Sequence, residues 1–261
     1  MITSRQNPRI KALAALHQSR TRRETGLSLV EGLRPVKEAL LHANVRTLVL
    51  SECLQSTPEG EKIEDLARQR KIEVLRVTDD CYRKLSDLRH PEGAAAVIEI
   101  QPVAPAFLLA GEPRLVVAAG LQDPGNAGAI ARVAEAAGAS GFLLLEGVDI
   151  THPRFLRAAM GSAFRLPCAA ISAADFLAAA RETPVRLLAA VAGGEARAYT
   201  DIDFTPPVAL CIGGEGAGLP EEIVRAAECR MTIPMSGLVE SLNAAVAAGI
   251  ILYQARRQWL P

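Results

Sequence analysis

Residues Arg114–Gly147, RLVVAAGLQDPGNAGAIARVAEAAGASGFLLLEG, decide the fold that the sequence predicts. RLVVAAGL at the start and GFLLLEG at the end are continuous apolar runs of strand length. Between them, Ile130, Val133, Ala134 and Ala137 fall at helical spacing on one face. Continuous apolar strands joined by a helix are typical of a parallel sheet covered on both faces. This stretch therefore predicts an α/β fold with a mostly parallel sheet.

The same alternation of elements continues on both sides. Towards the C-terminus, VRLLAAVA, PVALCIGGE and CRMTIPM resemble strands, PRFLRAAMG and AADFLAAARE resemble helices, and a helix closes the chain. The first 100 or so residues form a smaller α/β pattern of three helices and four strands. Pro102, Pro105 and Pro113 interrupt the pattern, because proline breaks both ladders and helices. We therefore expect one domain at 1–100, a linker at 101–113 and a second domain at 114–261.

The composition is that of an ordinary globular protein. The 261 residues include 29 Lys+Arg and 29 Asp+Glu, and 49% are hydrophobic. No apolar run reaches the roughly 18 residues that a membrane span requires, and MITSRQNPRIK lacks the apolar core of a signal peptide. The five cysteines and four histidines form no recognisable metal-ligand spacing. We therefore expect a cytoplasmic protein without a metal site.

Basic residues are concentrated near the N-terminus. Between Met1 and Lys37 there are eight bases and two acids. Such a cluster is either a solvated helix face or a surface that follows RNA phosphates. For the second interpretation, the candidate RNA-binding residues are Arg5, Arg9, Lys11, Arg22, Arg23 and Arg34.

Arg132 does not fit the helix of the opening stretch. A cation in the first half of a helix opposes the helix dipole, and this side chain leans over Gly128, which has no side chain of its own. The guanidinium is therefore directed towards the helix N-terminus, beside the carboxyl end of a strand, where open α/β sheets bind ligands. The alternative is a surface arginine. Asn126 is predicted to cap this helix and Gly138 to end it.

Two later stretches also depart from the pattern. In CIGGEGAGLP, Glu215 stands among four glycines at the end of a strand, although the Lys-Ser/Thr of a phosphate loop is missing. In IPMSGLVESLN, Ser241 and Asn243 are both suitable caps for the last helix. One cap is enough, so we expect Ser241 to cap the helix and the Asn243 amide to bind elsewhere.

In this order, three motifs resemble those of the SpoU/TrmH family, RNA 2'-O-ribose methyltransferases of the SPOUT superfamily. They are N-x-G-x-x-x-R (Asn126 to Arg132), G-x-E-G-x-G-L (Gly213 to Leu219) and I-P-M-x-G-x-x-E-S-L-N (Ile233 to Asn243). Gly214 departs from the asparagine that many members have there. The region 4–40 is also similar to the L30e-like substrate-binding domain that is often fused ahead of this core in ribosomal RNA methyltransferases.

The resemblance implies a trefoil-knotted C-terminal domain, a homodimer formed through that domain, and S-adenosylmethionine in the loops after the late strands. The implied cofactor-binding residues are Ala190, Val191, Gly213, Gly214, Glu215, Gly216, Ile233, Met235, Ser241 and Leu242. The implied catalytic residues are Arg132, Asn126, Glu215 and Asn243, and Arg132 would also contact the RNA. The implied reaction methylates a ribose 2'-hydroxyl, foremost in 23S-type rRNA, and leaves S-adenosylhomocysteine.

In the family, the residue matching Arg132 is proposed to activate the 2'-hydroxyl. Arginine has a pKa above about 12, which favours stabilisation of the developing alkoxide and a fork onto the adjacent phosphate over a role as base. Three other functions are alternatives. A tRNA methyltransferase usually lacks the N-terminal domain, an idle RNA-binding factor would not need Arg132, Glu215 and Asn243, and a nicotinamide oxidoreductase needs a first-turn GxGxxG.

Overall fold

The computed structural model describes residues 1–100, 103–193, 195–214, 216–237 and 239–259. The chain divides into two compact units. The first contains Met1–Gln101 and Thr151–Phe164, and the second contains Pro102–Ile150 and Arg165–Pro261. The chain therefore passes from one unit to the other three times.

Helices and strands alternate along the described ranges. The helices are α1 Pro8–Ala15, α2 Ser19–Thr25, α3 Leu33–His42, α4 Glu52–Gln55, α5 Pro58–Gln69, α6 Asp79–Leu85, α7 Pro105–Leu108, α8 Pro124–Ala137, α9 Pro153–Ala159, α10 Ser162–Arg165, α11 Ala173–Arg181, α12 Glu221–Ala226 and α13 Ala244–Trp259. The strands are β1 Leu27–Glu31, β2 Asn44–Ser51, β3 Glu73–Val77, β4 Ala94–Glu99, β5 Arg114–Ala119, β6 Gly141–Leu145, β7 Cys168–Ile171, β8 Arg186–Ala190, β9 Arg197–Ala198, β10 Val208–Gly213 and β11 Cys229–Thr232.

The first unit is built on a four-stranded sheet of order β1-β4-β2-β3. β4 pairs antiparallel with β1 and β2, and β2 pairs parallel with β3. The predicted helices and strands of this half correspond to α1, α3, α5 and β1–β4, whereas the short helices α2, α4 and α6 were not predicted. These three helices span 4 to 7 residues, which is too short for an apolar stripe to repeat.

The segment Thr151–Phe164 belongs to this first unit. Its helix α9 packs against β1, and its side chains Phe155 and Leu156 are buried. The Ser28 hydroxyl donates a hydrogen bond to the Thr151 carbonyl oxygen at 2.5 Å. The sequence-based boundaries place this segment in the second domain. The structure differs because the partners of the segment lie on β1, about 120 residues earlier. Local periodicity does not predict contacts between such distant parts of the sequence.

Glu31 ends β1 as a fully buried carboxylate. Neither of its oxygens has a hydrogen-bond partner among the described residues. Arg157 Nη1, on α9, lies 3.8 Å from Glu31 Oε2 and 3.4 Å from Asp87 Oδ1. The pKa of Glu31 rises from 4.5 to about 7, chiefly because of burial and partly because of the nearby Asp87 carboxylate. At neutral pH this carboxylate is therefore poised between its neutral and charged forms.

The second unit is built on a seven-stranded parallel sheet of order β7-β6-β5-β10-β8-β11-β9. Leu115 and Val117 of β5 join a core with Phe176 and Ile223, while Val116, on the opposite face of the strand, is equally buried. The sheet is therefore covered on both faces, and the predicted mostly parallel α/β fold is confirmed. The trefoil knot stays a prediction.

The expected linker 101–113 contains a helical turn. Residues 101 and 102 lie outside the described part of the chain. α7 follows, and Leu108 and Leu109 are buried in the core of the second unit. The run FLLA within this stretch is apolar enough to be drawn into a core, and the prolines around it concealed that signal.

Candidate active site

A cavity of about 490 Å³ lies beyond the carboxyl ends of β8, β10 and β11. In a parallel sheet these ends share one edge, and ligands of α/β proteins bind there. The walls are largely apolar or backbone. The lining residues are Ala190, Val191, Ala192, Ile212, Gly213, Gly214, Gly216, Ala217, Gly218, Leu219, Val224, Met231, Thr232, Ile233, Met235, Glu240, Ser241, Leu242, Ala244, Ala247 and Ile251.

The glycines after β10 form a wall made of backbone. A Cβ atom on Gly213 would lie 2.2 Å from the carbonyl carbon of Gly218, and one on Gly214 would lie 2.4 Å from the carbonyl oxygen of Gly120. The Gly214 amide also donates to the Ala119 carbonyl oxygen at 2.9 Å. Side chains would force these strands apart, so the glycines allow the loops after β5 and β10 to meet.

The predicted cofactor residues surround this cavity. Ala190, Val191, Gly213, Gly214, Gly216, Ile233, Met235, Ser241 and Leu242 all line it, and Glu215 lies outside the described residues. The volume falls in the range of small-molecule sites, roughly 300–1,000 Å³. Apolar walls suit a purine and the carbon chain around the sulfonium, and exposed backbone groups suit the purine edge. The cavity therefore fits S-adenosylmethionine by size and by chemistry.

Asn243 directly precedes α13 and makes two kinds of contact. Its Oδ1 accepts hydrogen bonds from the Ala245 and Val246 amides, at 3.0 and 3.3 Å. Its Nδ2 donates to Asn126 Oδ1, on α8, at 3.3 Å. The prediction that Ser241 caps this helix was wrong, because the helix begins at Ala244 and Ser241 instead lines the cavity. One side chain both caps the helix and reaches α8.

The helix α8 carries Arg132 and begins earlier than predicted. Asp123 is the cap, with its Oδ1 accepting from the Gly125 amide at 3.2 Å, so the prediction that Asn126 caps this helix was wrong. Pro124 supplies the reason, since proline favours the first helical position. Gly138 ends the helix at φ +91°, as predicted. Arg132 is exposed and forms no hydrogen bond or ion pair with any residue in the described ranges.

Glu240 is a lining residue that was not predicted from the sequence. Among the described lining residues it is the one charged side chain of the cavity. It is exposed, and it pairs with no other described residue. Its place three residues before the helix cap, in the motif that also contains Ser241 and Asn243, was the available signal.

Five of the six candidate RNA-binding residues of the first unit fall into two groups. Arg5 pairs with Asp80, and Arg9 pairs with Glu73 at 2.6 Å. The hydrogen bond from Arg9 holds the pKa of Glu73 below its ordinary value. The second group is exposed, with no ion pair to another described residue, and consists of Lys11, Arg23 and Arg34.

The structure contradicts the prediction that Arg22 binds RNA. Its side chain is 3% exposed. Nη1 donates to the carbonyl oxygens of Leu16 and His17, at 3.0 and 2.9 Å, and Nε donates to Thr151 Oγ1 at 3.1 Å. A guanidinium with these internal partners is a structural group, and it is not available to an RNA phosphate.

Within the described ranges, no helix combines the length and the apolar character needed to cross a bilayer.

Comparisons with known proteins agree with this geometry. Residues 113–253 match the SpoU rRNA Methylase family, and residues 7–96 match the MRM3-like substrate binding domain. The 23S rRNA (guanosine(2553)-2'-O)-methyltransferase RlmP of Bacillus subtilis is 28% identical over 98% of both chains. The 23S rRNA (uridine(2479)-2'-O)-methyltransferase of Streptomyces viridochromogenes is 33% identical over 98% of this chain and 92% of its own.

Solved structures extend the likeness to three dimensions. The AdoMet-bound rRNA methyltransferase from Sinorhizobium meliloti superposes with a TM-score of 0.87 at 35% identity, over 100% of this chain and 98% of that one. The family match spans more than half of the sequence and contains the whole cavity and Arg132. The chain belongs to the SpoU rRNA methylase family.

Proposed function

We propose that this chain transfers a methyl group from S-adenosylmethionine to a ribose 2'-hydroxyl of ribosomal RNA, foremost of the 23S type. The family, the cavity and the relatives that act on 23S rRNA support this function. Those relatives modify a guanosine and a uridine, so the proposal extends to the ribose and leaves the base open.

The cavity would hold the cofactor between the glycine wall and the segment before α13. Gly213, Gly214 and Leu242 offer backbone groups there, and Ile212 and Met231 offer apolar surface. When bound, S-adenosylmethionine supplies an electrophilic methyl group on its sulfonium.

Arg132 would act on the RNA side of the reaction. An exposed guanidinium without a partner among the described residues has its donors available for a phosphate fork and for the oxygen that becomes negative as its proton leaves. A role for Arg132 as the base that takes the hydroxyl proton is less favoured, since a guanidinium group stays protonated up to about pH 12.

One observation carries the proposal: the hydrogen bond from Asn243 Nδ2 to Asn126 Oδ1. It joins the residue between the lining residues Leu242 and Ala244 to the helix that presents Arg132. A methyl donor in the cavity and an acceptor held by Arg132 are thereby given fixed relative positions, and positioning alone contributes roughly 7–11 kcal/mol in favourable cases. Asn126 and Asn243 would therefore be positioning residues. Glu215 is proposed, from its motif, to hold the glycine loop.

The first unit would bind the substrate RNA. Its match to the MRM3-like substrate binding domain and the exposed bases Lys11, Arg23 and Arg34 support this role.

A homodimer through the second unit completes the proposal. The exposed apolar side chains Val246 and Tyr253, seven residues apart on one face of α13, support it. The cytoplasmic location stays a prediction.

The decisive experiment is methyl transfer from labelled S-adenosylmethionine to total rRNA and, separately, to total tRNA, followed by digestion to locate the label. We expect ribose-linked label in rRNA with the wild-type chain and a severe loss of that label with Arg132→Ala. Label in tRNA alone would replace the rRNA substrate with tRNA. Cofactor binding without label in free RNA or in ribosomal particles would favour an idle binding factor.

A further inference from the structure

The proposed reaction brings two positive charges together. The sulfonium carries one, and the Arg132 guanidinium, which no described residue neutralises, carries the other. The methyl group lies between donor and acceptor during transfer, so the sulfonium must approach the side of the cavity that faces α8. Two unit charges a few ångströms apart repel by about 1 kcal/mol in water and by more where water is excluded.

Glu240 is placed to offset this repulsion. It is the one charged side chain among the described lining residues, and it forms no ion pair or hydrogen bond with another described residue. Asn243, three residues later, touches α8 through Asn126. Three residues of chain span at most about 11 Å. The backbone of Glu240 therefore lies within about 11 Å of the residue that contacts the helix of Arg132.

We propose that Glu240 is a specificity residue that makes the cavity prefer the cationic methyl donor to its neutral product. This inference rests on the proposed function. In the transfer, the S–CH3 bond breaks and its electron pair stays on sulfur, the new O–CH3 bond forms from an oxygen lone pair, and the hydroxyl proton passes to solvent water. The cofactor thereby changes from a net charge of +1 to zero. The attraction to Glu240 is present before transfer and absent after it, which favours release of S-adenosylhomocysteine.

The test is calorimetric titration with three ligands. They are S-adenosylmethionine, S-adenosylhomocysteine, and the analogue sinefungin, in which a protonated amine replaces the sulfonium. We expect Glu240→Gln to weaken binding of both cationic ligands about three- to tenfold, the size of a partly screened ion pair. Binding of the neutral product should stay within twofold of wild type. The matched control is Glu222→Gln, an exposed glutamate on α12 that does not line the cavity.

Three results would overturn the inference. The first is an equal loss for all three ligands, which would place Glu240 at the amino-acid end that they share. The second is no change in any of them. The third is loss of discrimination in Glu215→Gln but not in Glu240→Gln. Failure of the wild-type chain to bind S-adenosylmethionine at all would instead remove the proposed function, so the two failures are distinguishable.

Discussion

Arg132 shows what a single side chain contributes when it pairs with none of the residues that the structure describes. Lysine at this position would keep the charge but lose the planar fork, and alanine would lose both. We expect Arg132→Lys and Arg132→Ala to lower the rate of methyl transfer by about 10²–10³-fold, as removal of one stabilising donor does. Affinity for S-adenosylmethionine should be unchanged in Arg132→Lys, which keeps the charge, and should not fall in Arg132→Ala, because Arg132 does not line the cavity. Single-turnover kinetics and calorimetry separate the two quantities.

Arg181→Lys is the control for that experiment, since Arg181 is an exposed arginine in the last turn of α11, away from the cavity. Turnover by Arg132→Lys equal to that of Arg181→Lys would contradict the role given to Arg132.

Glu31 shows how a buried carboxylate links stability to pH. The pKa of Glu31 is about 7 in the folded chain and 4.5 in the unfolded chain, because burial opposes the charged form. The unfolded chain therefore releases this proton first as pH rises. The contribution of Glu31 to the free energy of unfolding falls between about pH 4.5 and pH 7, then levels off, for a total of about 3 kcal/mol.

Glu31→Gln should remove this pH-dependent contribution to the free energy of unfolding. We expect the variant to gain stability relative to wild type as pH rises from 5 to 8, in urea unfolding followed at several pH values. Asp87→Asn is the comparison, because it removes the other carboxylate beside Arg157 while leaving Glu31 in place. A constant difference between Glu31→Gln and wild type across this pH window would show that Glu31 stays charged or stays neutral throughout.

At the scale of elements, Asn243 ties the start of α13 to the start of α8. Aspartate is an equally good cap but has no Nδ2 donor. We expect Asn243→Asp to keep the stability of the wild type within about 0.5 kcal/mol, by the small difference between the two caps, while methyl transfer falls more than tenfold. Asn243→Ala should lose both the cap, at about 1 kcal/mol, and the transfer. Thermal melts and methyl transfer measured on the same samples test this; normal turnover by Asn243→Asp would remove the positioning role.

The elements also show which features the sequence predicts. The apolar runs of β5, β6 and β10 give the parallel sheet, because burial on both faces leaves a direct mark on composition. The glycines and the three motifs locate the cavity wall. The caps of α8 and α13 were misassigned because Asp123, Asn126, Ser241 and Asn243 are all chemically suitable, and only the chain path chooses among them.

Burial of a charged residue is harder to predict. Arg22 lies within a run of exposed bases, and no sequence pattern separates it from Arg23. Its hydrogen bond to Thr151 spans 129 residues, and such a contact exists only in the folded chain. Glu240 was overlooked for a different reason, because a lone acid in a loop is ordinarily a solvated residue.

At the scale of the whole molecule, the proposed homodimer makes a prediction about α13. Val246 and Tyr253 are 51% and 53% exposed, and a self-complementary interface would cover both. We expect Val246→Asp combined with Tyr253→Glu to shift the chain from dimer to monomer in light scattering, while the far-UV spectrum stays that of the wild type. Lys62→Asp with Glu59→Lys, exposed changes on α5 in the first unit, serve as the control. A wild-type chain that is monomeric at every concentration would remove the dimer.

The threefold passage of the chain between its two units has a consequence for engineering hybrids. A designer who joins the first hundred residues of one relative to the remainder of another would transplant β1 without the helix α9 that packs on it. Glu31 would then lie beside the residue that the other parent has in place of Arg157, whether or not that residue is an arginine. The transferable recognition module is therefore two separate segments of chain, Met1–Gln101 and Thr151–Phe164, and an exchange of specificity should carry both.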